Sequence, residues 1–164
     1  LKGKLTMFSE TVNDIAELLI KRGETVSVAE SSTGGLISAN LLSVPGASAY
    51  FQGGSVVYTL ASRRAFLDLD REKVRQLKPL TEEMVAEFAR AAREKLETTW
   101  GIAELGAAGP AGTPYGHGAG ISVIAISGPC SMSSKTRTSE DDRHRNMLAF
   151  TEAGLLLFRR ALQT

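Results

Sequence analysis

Ser31, Ser32 and Thr33 run directly into Gly34 and Gly35, placing three hydroxyls and two residues without a Cβ on five consecutive positions. Hydroxyls are candidate nucleophiles and anion ligands, and glycine lets a ligand approach the backbone closely. Val26, Val28 and the small Ala29 just before them read as a short buried strand. Leu36, Ile37, Asn40 and Leu41 then recur at helical spacing until Val44-Pro45-Gly46 ends the run. A strand that turns into a helix here leaves the helix's first N–H groups unpaired and partially positive. The junction from Ser31 to Gly35 is therefore expected to welcome a phosphate or carboxylate, with backbone N–H groups near Thr33 and Gly34 available to a developing oxyanion.

Each residue also has a plainer role. Ser31, Ser32 and Thr33 are all residue types that cap helices. Arg63 is either a solvated surface cation or a planar clamp for a phosphate or carboxylate. Tyr58 either buries its ring or serves as the local candidate for handling a proton. Gly106, Gly109, Pro110 and Gly112 form a turn or a loop that makes close contact with a ligand. His117 is a surface imidazole or a general acid for a departing amine, and His144 falls on the polar face of the last helix. Cys130 has no partner motif and reads as a loop thiol.

The elements that must position these residues alternate along the chain. Phe8, Val12, Ile15 and Leu19 share a helical face that Lys21, Arg22 and Gly23 terminate. Ser55 to Tyr58 reads as a second strand after the Gly53-Gly54 pair, and Arg63 to Leu67 and Asp70 to Leu77 as short helical turns. Thr81 caps a helix with Glu82 and Glu83 in its first turn and a stripe of Val85, Phe88, Ala92 and Leu96. Trp100 to Leu105 and Ile121 to Ile126 read as strands, Ser133 to Arg137 as a short edge strand, and Ser139 to Asp142 as the capping box of a long final helix. This order predicts an α/β fold, a three-layer α/β/α sandwich with a mixed, mostly parallel sheet. The stretch between Leu105 and Ile121 has no crossover helix, so those two strands are expected to pair antiparallel. Ligands of open sheets sit at strand-to-helix ends, so the loops at Ser31 to Gly35, Tyr58 to Arg63 and Gly106 to Gly120 are expected on one rim.

Composition narrows the classes. At 164 residues and 43% hydrophobic content the chain is expected to form one domain over residues 1–164. Nineteen Lys and Arg against eighteen acids, with no basic run interleaved with aromatics, argue against nucleic acid as a partner. A single cysteine and two histidines offer neither a disulfide nor a metal site by spacing, so neither metal nor cofactor is expected. No apolar stretch approaches the roughly 20 residues that span a bilayer, and Leu1 to Met7 lacks the apolar centre of a leader, so no membrane partner and a cytoplasmic location are expected. The sequence starts at Leu1, which suits a piece of a longer parent. Tyr50 and Phe51, read as exposed, suggest a homo-oligomer.

Ala29-Glu30-Ser31-Ser32-Thr33-Gly34-Gly35 resembles the Ala-Glu-Ser-Cys-Thr-Gly-Gly signature of the CinA C-terminal domain family, which includes the bacterial nicotinamide-nucleotide amidases. Val44 to Phe51, then Gly53-Gly54 and Tyr58, are similar to its Pro-Gly-Ser-Ser-Ala-Tyr-Phe and Gly-Gly-x-x-x-Tyr run, and Ala108-Gly109-Pro110 to its Gly-Ile-Ala-Gly-Pro loop. The resemblance implies metal-independent hydrolysis of the carboxamide of nicotinamide mononucleotide, giving nicotinic acid mononucleotide and ammonia. It implies Ser31 as nucleophile, Tyr58 and the residue at 63 as catalytic partners, and a pyridine mononucleotide held by Ser32, Thr33, Gly34, Gly35, Ala108, Gly109, Pro110 and Arg143. The family's lysine, five residues past the tyrosine, is Arg63 here, and an arginine with a pKa above about 12 does not act as a neutral base. Leu60, Ala61 and Ile121 replace further polar family residues. The alternative is thus a non-catalytic nucleotide-binding or interaction domain, in line with the family's association with competence and DNA damage.

Overall fold

A computed structural model of the protein describes residues 8–164; the expectation placed on Leu1 to Met7 lies outside them. The first helix, α1 (Ser9–Arg22), buries Val12, Ile15, Ala16 and Leu19, and Gly23 ends it in the left-handed region at φ 64°. There follow β1 (Val26–Glu30), α2 (Leu36–Leu42), β2 (Phe51–Val56), α3 (Leu60–Phe66), α4 (Arg71–Gln76), α5 (Glu82–Lys95), β3 (Trp100–Ala107), β4 (Ile121–Ser127), β5 (Met132–Arg137) and α6 (Arg143–Leu162). The five strands form one sheet in the order β2-β1-β3-β4-β5. Strand β1 is parallel to both β2 and β3, whereas β4 runs antiparallel to its neighbours β3 and β5. The short β3–β4 connection has the antiparallel outcome expected of it, and the fold is α/β with a mixed sheet.

Alternation along the strands sorts side chains between two cores. Val26, Val28 and Ile102 pack with Val12, Ile15, Leu19, Ile37, Leu41 and Phe158, under α1, α2 and α6. Ala29, Ala103, Leu105 and Val123 pack with Val85 and Phe88 of α5 on the opposite face. By the same parity Glu30 and Glu104 point into the α1/α2/α6 side and Leu105 into the α5 side. Among the described residues, no helix is long and apolar enough to cross a membrane.

Three expectations change. The second strand is Phe51–Val56, not Ser55 to Tyr58. Gly53 and Gly54 lie within it, paired with Ser27 and Val28, and a Cβ at Gly54 would run into the Ser38 side chain. Tyr58 consequently follows the strand and is exposed rather than being a buried strand tyrosine. Tyr50 is fully buried and its hydroxyl donates to the Leu41 carbonyl at 2.5 Å, while Phe51 packs against the core. These two residues therefore give no support to a homo-oligomer. Finally, α6 is capped by Asp142, which accepts the Arg145 N–H, rather than by a box starting at Ser139, whose φ is 58°.

Candidate functional site

Strand β1 ends on Glu30, and Ser31 to Gly35 form the turn into α2. Gly34 and Gly35 adopt φ of 63° and 101°, conformations that glycine reaches without a Cβ penalty. The first N–H groups of α2 are indeed directed at an anion, but the anion is internal. Glu30 Oε1 accepts the N–H of Gly35 at 2.9 Å and of Ile37 at 3.1 Å, and Glu30 Oε2 accepts the N–H and the hydroxyl of Ser38 at 2.9 and 2.8 Å. A fully buried carboxylate thus satisfies the helix terminus and occupies the place expected for a ligand phosphate.

A second carboxylate meets the elbow from β3. Glu104, the register partner of Glu30, is fully buried. Its Oε2 accepts the N–H groups of Ser31 and Thr33 at 3.1 and 3.0 Å, and its Oε1 accepts the hydroxyls of Ser32 at 2.5 Å and Ser122 at 3.1 Å. Burial pushes the Glu104 carboxyl above its ordinary range, opposed by the hydrogen bonds from Ser32, Thr33 and Ser31 that favour the ionised form. Thr33 Oγ1 lies 2.7 Å from Glu30 Oε1 and 3.1 Å from Glu104 Oε2. One hydroxyl proton cannot fully serve two carboxylates, and protonating Glu104, the direction burial drives it, relieves the conflict.

This network redistributes the expected roles. Ser32 and Thr33 are buried and turned toward the two glutamates, so their hydroxyls hold the elbow rather than meet a ligand. The expected oxyanion donors are also engaged: the Thr33 N–H with Glu104 and the Gly34 N–H with the Ser31 carbonyl. From Ser31 to Gly35, the Ser32 N–H alone has no acceptor among the described residues. Gly106 belongs to β3 rather than to a loop, paired with Ser122 of β4, and a Cβ there would overlap Ser32 Oγ and stand 2.7 Å from Glu104 Oε1.

On the α5 side, Ser31, Tyr58, Arg63, Leu105, Gly106 and Tyr115 line a cavity of about 270 Å³. The three loops expected on one rim do converge there. Arg63 does not extend freely into it: its Nε donates to the Val57 carbonyl at 3.2 Å, and its guanidinium carbon lies 5.2 Å from the centroid of the Phe88 ring. Burial lowers the Arg63 guanidinium from its usual range, partly offset by Tyr115. Arg143 ties the rim together, donating from Nη1 to the Gly109 carbonyl at 2.7 Å and from Nη2 to the Tyr58 hydroxyl at 3.3 Å.

The remaining predicted ligands lie elsewhere. Gly34 and Gly35 turn the backbone behind Ser31 and are absent from the cavity lining. Ala108 is buried, and its carbonyl accepts from Asn146 Nδ2 at 2.9 Å. A Cβ on Gly109 would stand 2.7 Å from the Asp141 carbonyl oxygen, so this glycine serves a close backbone crossing. Pro110 lines a separate hollow with Ala119, Glu140, Asp141 and Arg145. The His117 ring lies against the Thr113 hydroxyl at 3.2 Å and closes its own loop. Glu30 and Glu104 are the residues that sequence reasoning passed over. Their signal was available: an acid inside an apolar strand needs donors, and Ser32, Thr33 and Ser122 supply them.

The family model of the CinA C-terminal domain matches residues 9–162. A CinA-like protein of Parasynechococcus marenigrum is 41% identical over 115 residues, covering 70% of this chain and 27% of its own length. Another from Chlorobium phaeobacteroides is 34% identical over 155 residues, covering 92% of this chain and 37% of its own length. The chain thus spans well under half the length of these relatives. A crystal structure of a competence-damaged protein (CinA) superfamily member from Enterobacter cloacae superposes with a TM-score of 0.87 at 25% identity, covering 99% of this chain and 96% of that one.

Proposed function

The chain belongs to the CinA C-terminal domain family, and from that premise we propose that its Ser31 cavity hydrolyses the carboxamide of nicotinamide mononucleotide. The products are nicotinic acid mononucleotide and ammonia. The observation that carries the reading is the meeting of Ser31, Tyr58 and Arg63 around one cavity, beside an elbow whose Ser32 N–H alone has no acceptor among the described residues. Ser31 Oγ attacks the carboxamide carbon, and the Ser32 N–H, next after the nucleophile, takes the developing oxyanion. The C–N bond breaks as ammonia leaves with the proton given up by Ser31, passed through the Tyr58 hydroxyl or a water. Water then attacks the acyl-serine carbonyl, releasing the carboxylate and restoring the Ser31 hydroxyl.

Arg63 stabilises negative charge in this scheme and does not take a proton. A site lacking its general base forfeits roughly 10²- to 10⁴-fold in rate, so turnover is expected to be slow. The test is ammonia release from nicotinamide mononucleotide by the wild-type chain and by Ser31→Ala. Release that disappears with Ser31→Ala supports the amidase, and release that persists overturns it.

A second reading is a non-catalytic nucleotide-binding or interaction domain. It is favoured by the tethering of Arg63 to the Val57 carbonyl and the Phe88 ring, and by apolar Leu60 and Leu105 in the cavity wall. Calorimetric binding of the nucleotide with no ammonia release would select it.

A further inference from the structure

If the terminus of α2 is filled by Glu30, a ligand's phosphate must be held elsewhere, and the fold offers a second cavity. A groove of about 600 Å³ opens between α3, α4 and α5, with Leu67, Leu69, Val74 and Phe88 in its apolar wall. That volume falls within the span of about 300–1,000 Å³ usual for small-molecule sites. Arg63, Arg64, Arg71, Arg75 and Arg90 also line it. Arg90 is committed to Glu87 and Glu94, but among the described residues Arg63, Arg64, Arg71 and Arg75 form no ion pair. The two acids in the lining are already engaged. Asp70 accepts the N–H groups of Glu72 and Lys73 at the start of α4, and Asp68 pairs with Lys95 at 2.8 Å. The whole chain carries a formal net charge of only +1, so this is local concentration of positive charge rather than overall basicity. Leu60 and Arg63 line both cavities, so the groove adjoins the Ser31 cavity.

We propose that this arginine groove binds the phosphoryl group of an organic phosphate, with Arg64, Arg71 and Arg75 around the phosphate and the ligand's apolar part against Leu67, Leu69 and Val74. Guanidinium forks match phosphate oxygens in pairs, and converging cations above an apolar wall focus an attractive field on an entering anion. That the same ligand's carboxamide reaches Ser31 past Leu60 and Arg63 rests on the amidase reading; the phosphate site does not.

Calorimetric titration with inorganic pyrophosphate, in buffer free of divalent cations, tests the groove without any turnover. The wild-type chain is expected to bind it, more weakly as salt rises, and the Arg71→Ala/Arg75→Ala double variant to bind at least tenfold more weakly. Both arginines are exposed and, among the described residues, form no ion pair, and a thermal melt verifies that the variant is folded. The charge-reversed Arg71→Glu/Arg75→Glu variant is expected to abolish binding. No binding by the wild-type chain, or equal binding by the double variant, overturns the proposal. In parallel, nicotinamide mononucleotide is expected to bind the wild-type chain at least tenfold more tightly than nicotinamide riboside, and that preference to vanish in the double variant. Pyrophosphate binding that depends on the arginines, without ammonia release from the mononucleotide, sinks the amidase reading and leaves the groove standing.

Discussion

Glu104 accepts the backbone N–H of Ser31 at 3.1 Å from one side of the sheet, while the next residue, Leu105, lines the cavity that Ser31 shares on the other. A carboxylate that never touches the cavity therefore sets where the serine stands. The elbow is held by buried side-chain acceptors on β1 and β3, and its stability is tied to the protonation of Glu104.

Replacing Glu104 separates shape from charge. Glu104→Gln keeps one acceptor for the Ser31 and Thr33 N–H groups and places an amide donor toward Ser32 and Ser122, so the fold is expected to survive with a change of under about 1 kcal/mol. Glu104→Ala strands several buried donors and is expected to cost about 3 kcal/mol or more. Urea denaturation of the two variants checks the contrast.

Stability should also follow the protonation of Glu104. Its folded pKa is raised by burial, so between the unfolded value and the folded one the native state binds the extra proton. The stabilising contribution is full below the unfolded pKa and is lost as pH rises through the folded pKa. Unfolding free energies measured across the acid to neutral range are expected to show this decline in the wild-type chain, and Glu104→Gln to remove that component.

Gly106→Ala probes the space under the elbow. The added Cβ would stand 2.7 Å from Glu104 Oε1 and 3.1 Å from the Ile121 carbonyl oxygen, in a region where neither neighbour is free to retreat. A loss of about 2 kcal/mol is expected, typical of overpacking, read as a lower denaturation midpoint.

Arg63→Lys tests what the cation does. A lysine can be desolvated into a neutral base, so ammonia release is expected to rise at least tenfold while nucleotide affinity changes little. A fall in turnover would instead show that the charge stabilisation by Arg63, held by its tether to the Val57 carbonyl, outweighs the gain of a base.

Tyr58→Phe removes the hydroxyl that Arg143 contacts at 3.3 Å and that the proposed scheme uses to pass a proton. Because Tyr58 is exposed, stability is expected to stay within about 0.5 kcal/mol of wild type. Turnover is expected to fall at least tenfold. Unchanged turnover would assign the proton to water alone.

Much of the architecture was legible from local chemistry. Gly23 stops α1, Thr81 caps α5, and the glycine-rich stretch after Leu105, with no crossover helix, leads to a return strand beside β3. These outcomes depend on residues adjacent in the chain, where propensity and hydrogen-bond demand act directly. The strand-to-helix elbow at Ser31 and its convergence with Tyr58 and Arg63 likewise follow from element order. Only the tertiary structure decided what the elbow binds. Pairing Glu30 with Glu104 across β1 and β3 joins residues far apart in sequence, and parity then drives both carboxylates into the α2 and α6 side. Buried carboxyl oxygens must find donors, so the Ser32 and Thr33 hydroxyls and the first amides of α2 turn inward. A linear string displays the donors and the acids separately; their mutual satisfaction exists only once the sheet brings the strands side by side.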